Sequence, residues 1–433
     1  MAILPRALWL IPLGVLAALL APSETTVRIW VALSALLICL DALLAPRPAQ
    51  LGLARERIPA KRLGESLEST LLVANPGTRA VRGVLRDAWQ PSAGVEPGAD
   101  RHVLDLRPGG RTRVTTVLTP TRRGDRAADV VSIRLRGPLG LAARQRSFVV
   151  PGSARVLHPF ASRKHLPSKL AQLREIDGRS AVRTRGQGTE FDSLRDYVDG
   201  DDVRSLDWRA TARRQHLVVR TWQPEQHKRI VIVLDSSRTS AGRVGDAPRL
   251  DAGMDAALLL AALAQHARDR VEVVIGDRWV RARVAGGQRG TASLADIVAA
   301  FSTIEPELIE ADWPRLLSAV SARGNRRALV VLVTPLEPAA IEFGLLPSLP
   351  GLLRHHEVVI ASVADPRVSE LRSTRGDLAS TYAAAAAERS WAEREATADA
   401  LRRLGAYVID ADADVLPVAL VDYYLLLKSR GRL

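Results

Sequence analysis

Cysteine occurs once in 433 residues, at Cys39, which excludes an internal disulfide framework and fits a reducing compartment. Aromatic residues make up 4% of the chain, too few for the stacking platforms on which single strands of nucleic acid are read. Lysine is scarce as well. Only five of the 61 cationic side chains are lysine, and the arginines are spread through every segment instead of forming one basic block. Nucleic acid is therefore not an expected partner despite the net charge of +14. That excess still favours other anionic surfaces, a lipid bilayer among them. No Gly-x-x-x-x-Gly-Lys loop for nucleotide phosphates occurs.

What is present starts with length: the chain is too long for one compact core, so two or three domains are expected. Arginine in place of lysine, with much Ala, Leu and Val, suggests a GC-rich bacterial genome. Residues 1–50 hold two apolar runs, "ALWLIPLGVLAALLA" (Ala7–Ala21) and "IWVALSALLICLDALLA" (Ile29–Ala45), joined by the polar "PSETTVR". Each is near the short limit for crossing a bilayer, about 17 residues. The pair reads as a transmembrane helical hairpin. Arg6 precedes it, and Arg47, Arg55, Arg57, Lys61 and Arg62 follow, so the positive-inside rule puts both ends in the cytoplasm of a bacterial inner membrane. Asp41 is expected at the membrane interface. A cleaved signal peptide is the weaker reading, because Pro22 is a poor cleavage context and the second run would still anchor the chain.

Residues 51–151 change to a period of two. In "DVVSIRLR" (Asp129–Arg136), Val131, Ile133 and Leu135 share one face, and Asn-Pro-Gly and proline stops punctuate neighbouring runs. A small antiparallel β-sandwich serving as scaffold or spacer is expected. Residues 152–228 read as a connecting segment. From 229 to 433 buried apolar strands alternate with amphipathic helices, which predicts a doubly wound α/β domain. Its first strand ends in "LDSSRTS". Asp235, Ser237 and Thr239 there offer one carboxylate and two hydroxyls, the oxygens a hard divalent cation takes. The same residues would equally serve to cap the following turn.

The connecting segment carries "GTEFDSLRDYVDGDDVRSLDWRATARR" (Gly188–Arg214), seven carboxylates and five arginines. The absence of cysteine and the competing arginines speak against a metal or catalytic centre. A structural clamp is the leading reading. Asp202 or Asp207 would cap a short helix near Trp208–Arg214, Arg195, Arg204 and Arg209 would take carboxylates such as Asp192, Asp196, Asp199 and Asp201, and Trp208 would plug the segment onto the flank of the α/β domain. A partner-docking face built from the same residues is the rival, and the two are compatible.

Taken in order, these features resemble the domain-of-unknown-function 58 family. The resemblance rests on "RRGDRAADVVSIRLRGPLGLAARQR", on the signature from Gly188 to Arg220, and on the final "ALVDYYLLLKSRGRL". It implies a C-terminal domain similar to a von Willebrand factor A domain and a partnership with MoxR-type AAA+ ATPases. It also implies a metal site in which Asp235, Ser237 and Thr239 supply the first loop. A second loop falls near Asp312 where a threonine is expected. The third loop has Pro335 in place of an aspartate, leaving Asp312 or Glu337 to compensate. The site is thus incomplete and no cofactor is assigned to it; Mg²⁺ or Mn²⁺, if bound there, would be held weakly. The preferred function is a membrane-anchored, non-enzymatic adaptor. The alternatives are a metal-dependent hydrolase or phosphotransferase using Asp235, and an envelope scaffold.

Overall fold

The computed structural model describes residues 2–183, 190–223, 228–286, 292–321 and 327–433, leaving aside the side chains of 177, 179–193, 221–223 and 321. The chain forms two compact units, Met1–Pro159 and Phe160–Leu433.

The first unit opens with two apolar helices, α1 (Leu10–Leu20) and α2 (Glu24–Leu44). Among the described residues, one helix, α2 with its extension to Gln50, is long and apolar enough to cross a membrane, whereas the α1 run (Pro5–Leu20) is shorter. The Ser23 hydroxyl starts α2 by accepting the Thr26 N–H at 3.2 Å. The Trp30 indole N–H donates to the Leu10 carbonyl at 2.9 Å and joins the two helices.

The strands of this unit are β1 (Ala2–Ile3), β2 (Gly52–Arg55), β3 (Lys61–Arg62), β4 (Leu67–Ala74), β5 (Val81–Trp89), β6 (Arg101–Leu106), β7 (Arg111–Leu118), β8 (Gly124–Arg136), β9 (Ala142–Val149) and β10 (Ser153–Leu157). One sheet runs β2-β4-β7; the other runs β1-β9-β8-β10-β3, with β5 also on β8 and β6 on β5. Their inner faces share one core, in which Leu71, Val73 and Val114 meet Leu85, Leu104, Val131, Ile133 and Leu135. The period-two pattern thus buries the side it marks. Strand β10 pairs with β8, so the sandwich runs past residue 151. A bidentate Arg55–Asp87 pair, at 2.9 and 2.6 Å, is buried in it and also takes in Ser69.

Asp41, expected at the membrane interface, is tied into the sandwich. It is fully buried, and its carboxylate accepts three backbone N–H groups, from Leu139, Leu141 and Ala142, each at 2.7 Å. Gly137 allows this approach, since a Cβ there would lie 2.3 Å from the Asp41 Oδ1. Arg144 donates to the Ala42 and Leu43 carbonyls and satisfies the open end of α2. On the other arm of the hairpin, β1 pairs with β9 at Ala142 and Ala143. Both ends of the helical pair therefore meet the same turn of the sandwich.

In the second unit the strands are β11 (Glu190–Asp196), β12 (Val218–Gln223), β13 (Arg229–Asp235), β14 (Arg243–Val244), β15 (Ala247–Pro248), β16 (Arg270–Gly276), β17 (Val280–Ala285), β18 (Leu329–Val333), β19 (Glu357–Val363) and β20 (Tyr407–Ala411). The helices are α3 (Leu166–Arg183), α4 (Trp208–Arg214), α5 (Arg249–His266), α6 (Leu294–Thr303), α7 (Trp313–Ser321), α8 (Pro338–Ala340), α9 (Leu349–Leu353), α10 (Pro366–Ser373), α11 (Leu378–Leu404) and α12 (Leu416–Ser429). The main sheet has the order β17-β16-β13-β18-β19-β20, parallel except for β17. Val231 and Val233 face a cluster with residues of α7, α9 and α11. On the opposite face α5 comes close enough that a Cβ on Gly253 would sit 2.7 Å from Val333 Cγ1.

Two segments differ from the sequence reading. The single helix expected near 339–355 is broken into α8, a π-helical turn (Ile341–Leu345) and α9. Pro347 and Pro350 lack the N–H a continuous helix needs, and Gly344 and Gly351 weaken it further. Helix α3 lies where only a connecting segment was expected. Its Leu166, Leu170 and Leu173 are spaced for one helical face, Leu173 is buried, and Lys169 pairs with Asp422 of α12 at 2.5 Å.

Asp41→Ala should strip three N–H groups of their acceptor, a loss of roughly 2–4 kcal/mol. Hydrogen exchange of the 137–144 stretch in the full chain is expected to speed up accordingly, with Asp41→Asn intermediate. Unchanged exchange in Asp41→Ala would show that the carboxylate does not hold the turn.

Candidate functional site

Strand β13 runs outward to β16 on one side, while β18 opens the other half of the sheet, so the order of connection reverses between β13 and β18. At such a switch point the two loops part and leave a crevice beyond the carboxyl ends of the strands. Asp235 ends β13 at this place. Its Oδ1 accepts the Ser237 N–H at 2.8 Å, and its Oδ2 accepts the hydroxyls of Thr239 at 3.1 Å and Thr334 at 2.8 Å. The Ser237 hydroxyl lies 3.1 Å from that of Thr239. Sequence reasoning missed Thr334 and dwelt on Pro335 beside it. The available signal was that Thr334 is the first polar residue after the buried run of β18.

The loop leaving β13 is pinned. The Ser236 hydroxyl donates to Asp277 at 3.2 Å, Glu307 N–H donates to the Ser236 carbonyl at 2.9 Å, and Arg238 pairs with Glu310. Burial pushes the Asp235 carboxyl above its ordinary range, and the bonds from Ser237, Thr334 and Thr239 offset only part of that.

The other expected ligands are used differently. Asp312 caps α7 by accepting the Arg315 N–H at 3.0 Å, and Glu337 is exposed ahead of Pro338. Among the described residues no group of three or more His, Cys, Asp or Glu is placed to hold a metal ion. Asp235 brings one carboxylate, disfavoured as an anion by burial, and three neutral hydroxyls. That donor set is a poor match for a divalent cation, which draws on several charged oxygens. No bond among the described residues ties Asp312 or Glu337 to this set.

The acidic signature forms its own small lobe. Gly188 and the side chain of Asp192 lie outside the described residues. Strands β11 and β12 pair antiparallel, and α4 follows the turn. Asp201 takes the Arg195 guanidinium at 2.5 Å and the Val198 N–H at 3.0 Å, which holds its carboxyl below the ordinary range. Asp207 caps α4 through the N–H groups of Ala210 and Arg209 and pairs with Arg220 at 2.8 Å, with the same effect on its pKa. Asp202 caps the 3-10 turn Val203–Ser205, and Asp196 pairs with His216 at 2.9 Å. Each of these bonds closes within the lobe. Arg204 and Arg209 take no carboxylate among the described residues, Asp199 is exposed, and the cation that sequence reasoning missed is Arg220. Trp208 is the clearest correction: it is no plug but 67% exposed, and Val198 and Val203 are exposed as well. The buried pair under the lobe is Val218 and Val219.

The family described as "Protein of unknown function DUF58" matches residues 193–398. The match starts inside the signature, at Ser193, and takes in the Asp235 crevice. The match leaves out Arg122–Arg146 and Ala419–Leu433, on which the resemblance had also drawn. Uncharacterized proteins of Mycobacterium bovis and Mycobacterium tuberculosis are 26% identical over 189 residues, which is 43% of this chain and 58% of theirs. The chain therefore spans little more than half the length of these curated relatives. Proximal thread matrix protein 1 of the mussel byssus aligns at 16% identity over 47% of this chain and 46% of its own, with a TM-score of 0.27. A PapD-like domain of human CEP192 aligns at 18% identity over 26% of this chain and 89% of its own, with a TM-score of 0.19. Likeness at these scores carries no argument.

The raised carboxyl has a consequence in solution. The folded chain holds the Asp235 proton more tightly than the unfolded chain, whose value is near 3.9. The stabilisation is complete below about pH 4 and fades as pH rises through the folded value. Asp235→Asn, which lacks this titration, is expected to gain on wild type as pH rises from about 4 to 8 in urea denaturation. A constant or opposite difference would show that burial does not dominate at Asp235.

Proposed function

We propose that this chain is a membrane-anchored, non-enzymatic adaptor whose C-terminal unit, read as von Willebrand factor A-like, docks a protein partner of the MoxR-type AAA+ ATPase class during assembly or maturation of other complexes. The observation that carries this reading is the signature lobe. It is shaped by its own caps and ion pairs and leaves Trp208, Val198 and Val203 in solvent within a mixed-sign charged surround. Exposed tryptophan and arginine are the side chains on which binding energy concentrates, and surrounding charges set register. The winding of the parallel sheet, with Asp-x-Ser-x-Thr at the end of its first strand, supports the von Willebrand factor A-like reading.

In this reading both apolar helices span the inner membrane and the main units are cytoplasmic. Support comes from the convergence of β1 and Asp41 on one turn, which brings both ends of the hairpin together, and from the arginines flanking them. The rival, a hydrolase or phosphotransferase working through Asp235, lacks a second carboxylate bonded beside it among the described residues.

The test is co-purification of the full chain, in detergent, with the MoxR-type ATPase of the same genome. Trp208→Ala is expected to weaken the complex on the order of thirtyfold, the size of a hot-spot loss. Asp235→Asn should weaken it little. If wild type retains no such ATPase the adaptor reading falls, and a turnover that disappears in Asp235→Asn would establish the rival.

A further inference from the structure

The end of the sandwich that carries the helical pair can be traced through its pairings. Gly52, soon after α2, pairs with Ala74 at the end of β4, and Ala74 pairs with Arg111 at the start of β7. The turn after β4 is closed on the turn after β6. The Asn75 carbonyl accepts the Gly109 N–H at 2.8 Å, and its side-chain amide donates to the carbonyls of Arg79 at 2.8 Å and Arg107 at 3.2 Å. On the facing sheet Val81 pairs with Leu106 and Gly83 with Leu135, ahead of the turn that Asp41 holds. The turns 75–80, 107–110 and 137–141 therefore lie together at the end where α2 enters. Arg6, on the other arm of the hairpin, lies against the last of them: a Cβ on Gly140 would sit 3.3 Å from Arg6 Nη1.

This end carries charge of one sign. Arg6, Arg47, Arg79, Arg107, Arg111 and Arg136 are all exposed, and none has an ion pair among the described residues. No Asp or Glu occurs in 42–52, 74–81, 106–111 or 136–144. The turns at the opposite end carry Glu65, Glu96, Asp100 and Asp125. Arg86 and Arg155, exposed elsewhere on the sandwich, pair with Asp100 and Asp125. The cluster is not the basic flank seen in the sequence. Of that flank, Arg55 is buried on Asp87, and Lys61 and Arg62 lie on β3 at the opposite end. Between the arginines the turns expose the uncharged tips Pro76, Pro108, Pro138 and Leu139.

We propose that this end of the sandwich docks on acidic phospholipid headgroups, with the arginines of the three turns lying on the phosphate layer of the membrane that holds the hairpin. The proposal rests on the reading of the helical pair as membrane-embedded. Asp41 belongs to the last turns of α2 and bonds the 137–142 turn directly, so a bilayer around α2 stands against this face. That closeness leaves no room there for a nucleic acid or a folded protein. An arginine near an acidic membrane surface gains about 1 kcal/mol, an effect that fades within a Debye length of about 8 Å. Guanidinium groups take phosphate oxygens bidentately, and headgroups relieve the mutual repulsion of cations that have no partner in the chain. The proline and leucine tips enter the headgroup layer without stripping water from a charge.

The experiment is site-resolved mass spectrometry of phenylglyoxal modification on the full chain in nanodiscs of phosphatidylcholine or of phosphatidylglycerol. Phosphatidylglycerol is expected to slow modification of Arg79, Arg107 and Arg111 roughly fivefold each, the factor that about 1 kcal/mol gives. Arg122, at the opposite end, should react alike in both discs, and high salt should erase the difference. Equal rates at the three arginines in the two discs overturn the proposal and leave the hairpin reading intact, whereas a chain that enters neither disc overturns both. Soluble glycerol phosphate added to phosphatidylcholine discs should protect little; protection equal to that of phosphatidylglycerol overturns the lipid in favour of a free anion. As a second measurement, the chain in mild detergent is offered both lipids, and native mass spectrometry counts those it keeps. Wild type should retain phosphatidylglycerol in preference, and the triple variant Arg79→Gln, Arg107→Gln, Arg111→Gln should lose that preference. The same retention in both chains also overturns the proposal.

Discussion

A parallel sheet covered on both faces leaves no lateral surface for polar chemistry. From Ile230 to Leu234 every side chain of β13 is buried, and the same holds along β18. Backbone polar groups are satisfied by the ladder, and side chains on either face must be apolar to pack. Polar groups therefore collect where strands stop. Asp235, Asp277, Thr334 and Ser362 stand at or just beyond the carboxyl ends of β13, β16, β18 and β19, and each is buried with a partner. The crevice at the reversal of strand order follows from this constraint, whatever the crevice binds.

The chain meets the cost of burying a carboxylate in three different ways. Asp87 takes a bidentate arginine. Asp41 takes three backbone N–H groups, which need no second charge and fix the geometry of the turn that supplies them. Asp235 takes one N–H and two hydroxyls, weaker donors that leave burial dominant and its carboxyl raised. An ion pair left with one partner is strongly destabilising, whereas a carboxylate already drawn toward its neutral form loses less when its surroundings change. The Asp235 group is in this sense the least committed of the three, and it shares its crevice with Arg249, whose buried Nε has no hydrogen-bond partner.

Much of the architecture was legible because it is local. The alternation in Asp129–Arg136 marks the buried face of β8, the apolar run before Asp235 marks β13, and Asp207 ahead of Trp208 marks the start of α4. Asp377 and Gly405, the latter at φ 104°, bracket α11 as their residue types suggest. What stayed hidden depends on contacts far apart in sequence. Thr334 reaches Asp235 across 99 positions, and Asp41 meets its N–H partners across about a hundred. Neither leaves a periodic trace. The misplacement of Trp208 has a different origin. An isolated tryptophan among charges reads as an apolar plug, whereas the buried apolar positions described in the lobe are Val218 and Val219.

The energetics of that lobe argue for what its charges do. An exposed ion pair such as Arg195–Asp201 is largely offset by solvent screening and by the ordering of its side chains, so it does little to hold a segment in shape. The cap at Asp207 and the burial of Val218 and Val219 carry more of that work. Seven carboxylates in one short stretch are then poorly explained by stability alone. The pairs at Asp196, Asp201 and Asp207 and the caps at Asp202 and Asp207 fix the turn and the start of α4, while Trp208 stays exposed. Preorganisation of this kind lowers the cost of association, and a mixed-sign rim discriminates among partners more than it tightens any one of them. Under the adaptor proposal, such a surface recognises a folded partner in one register.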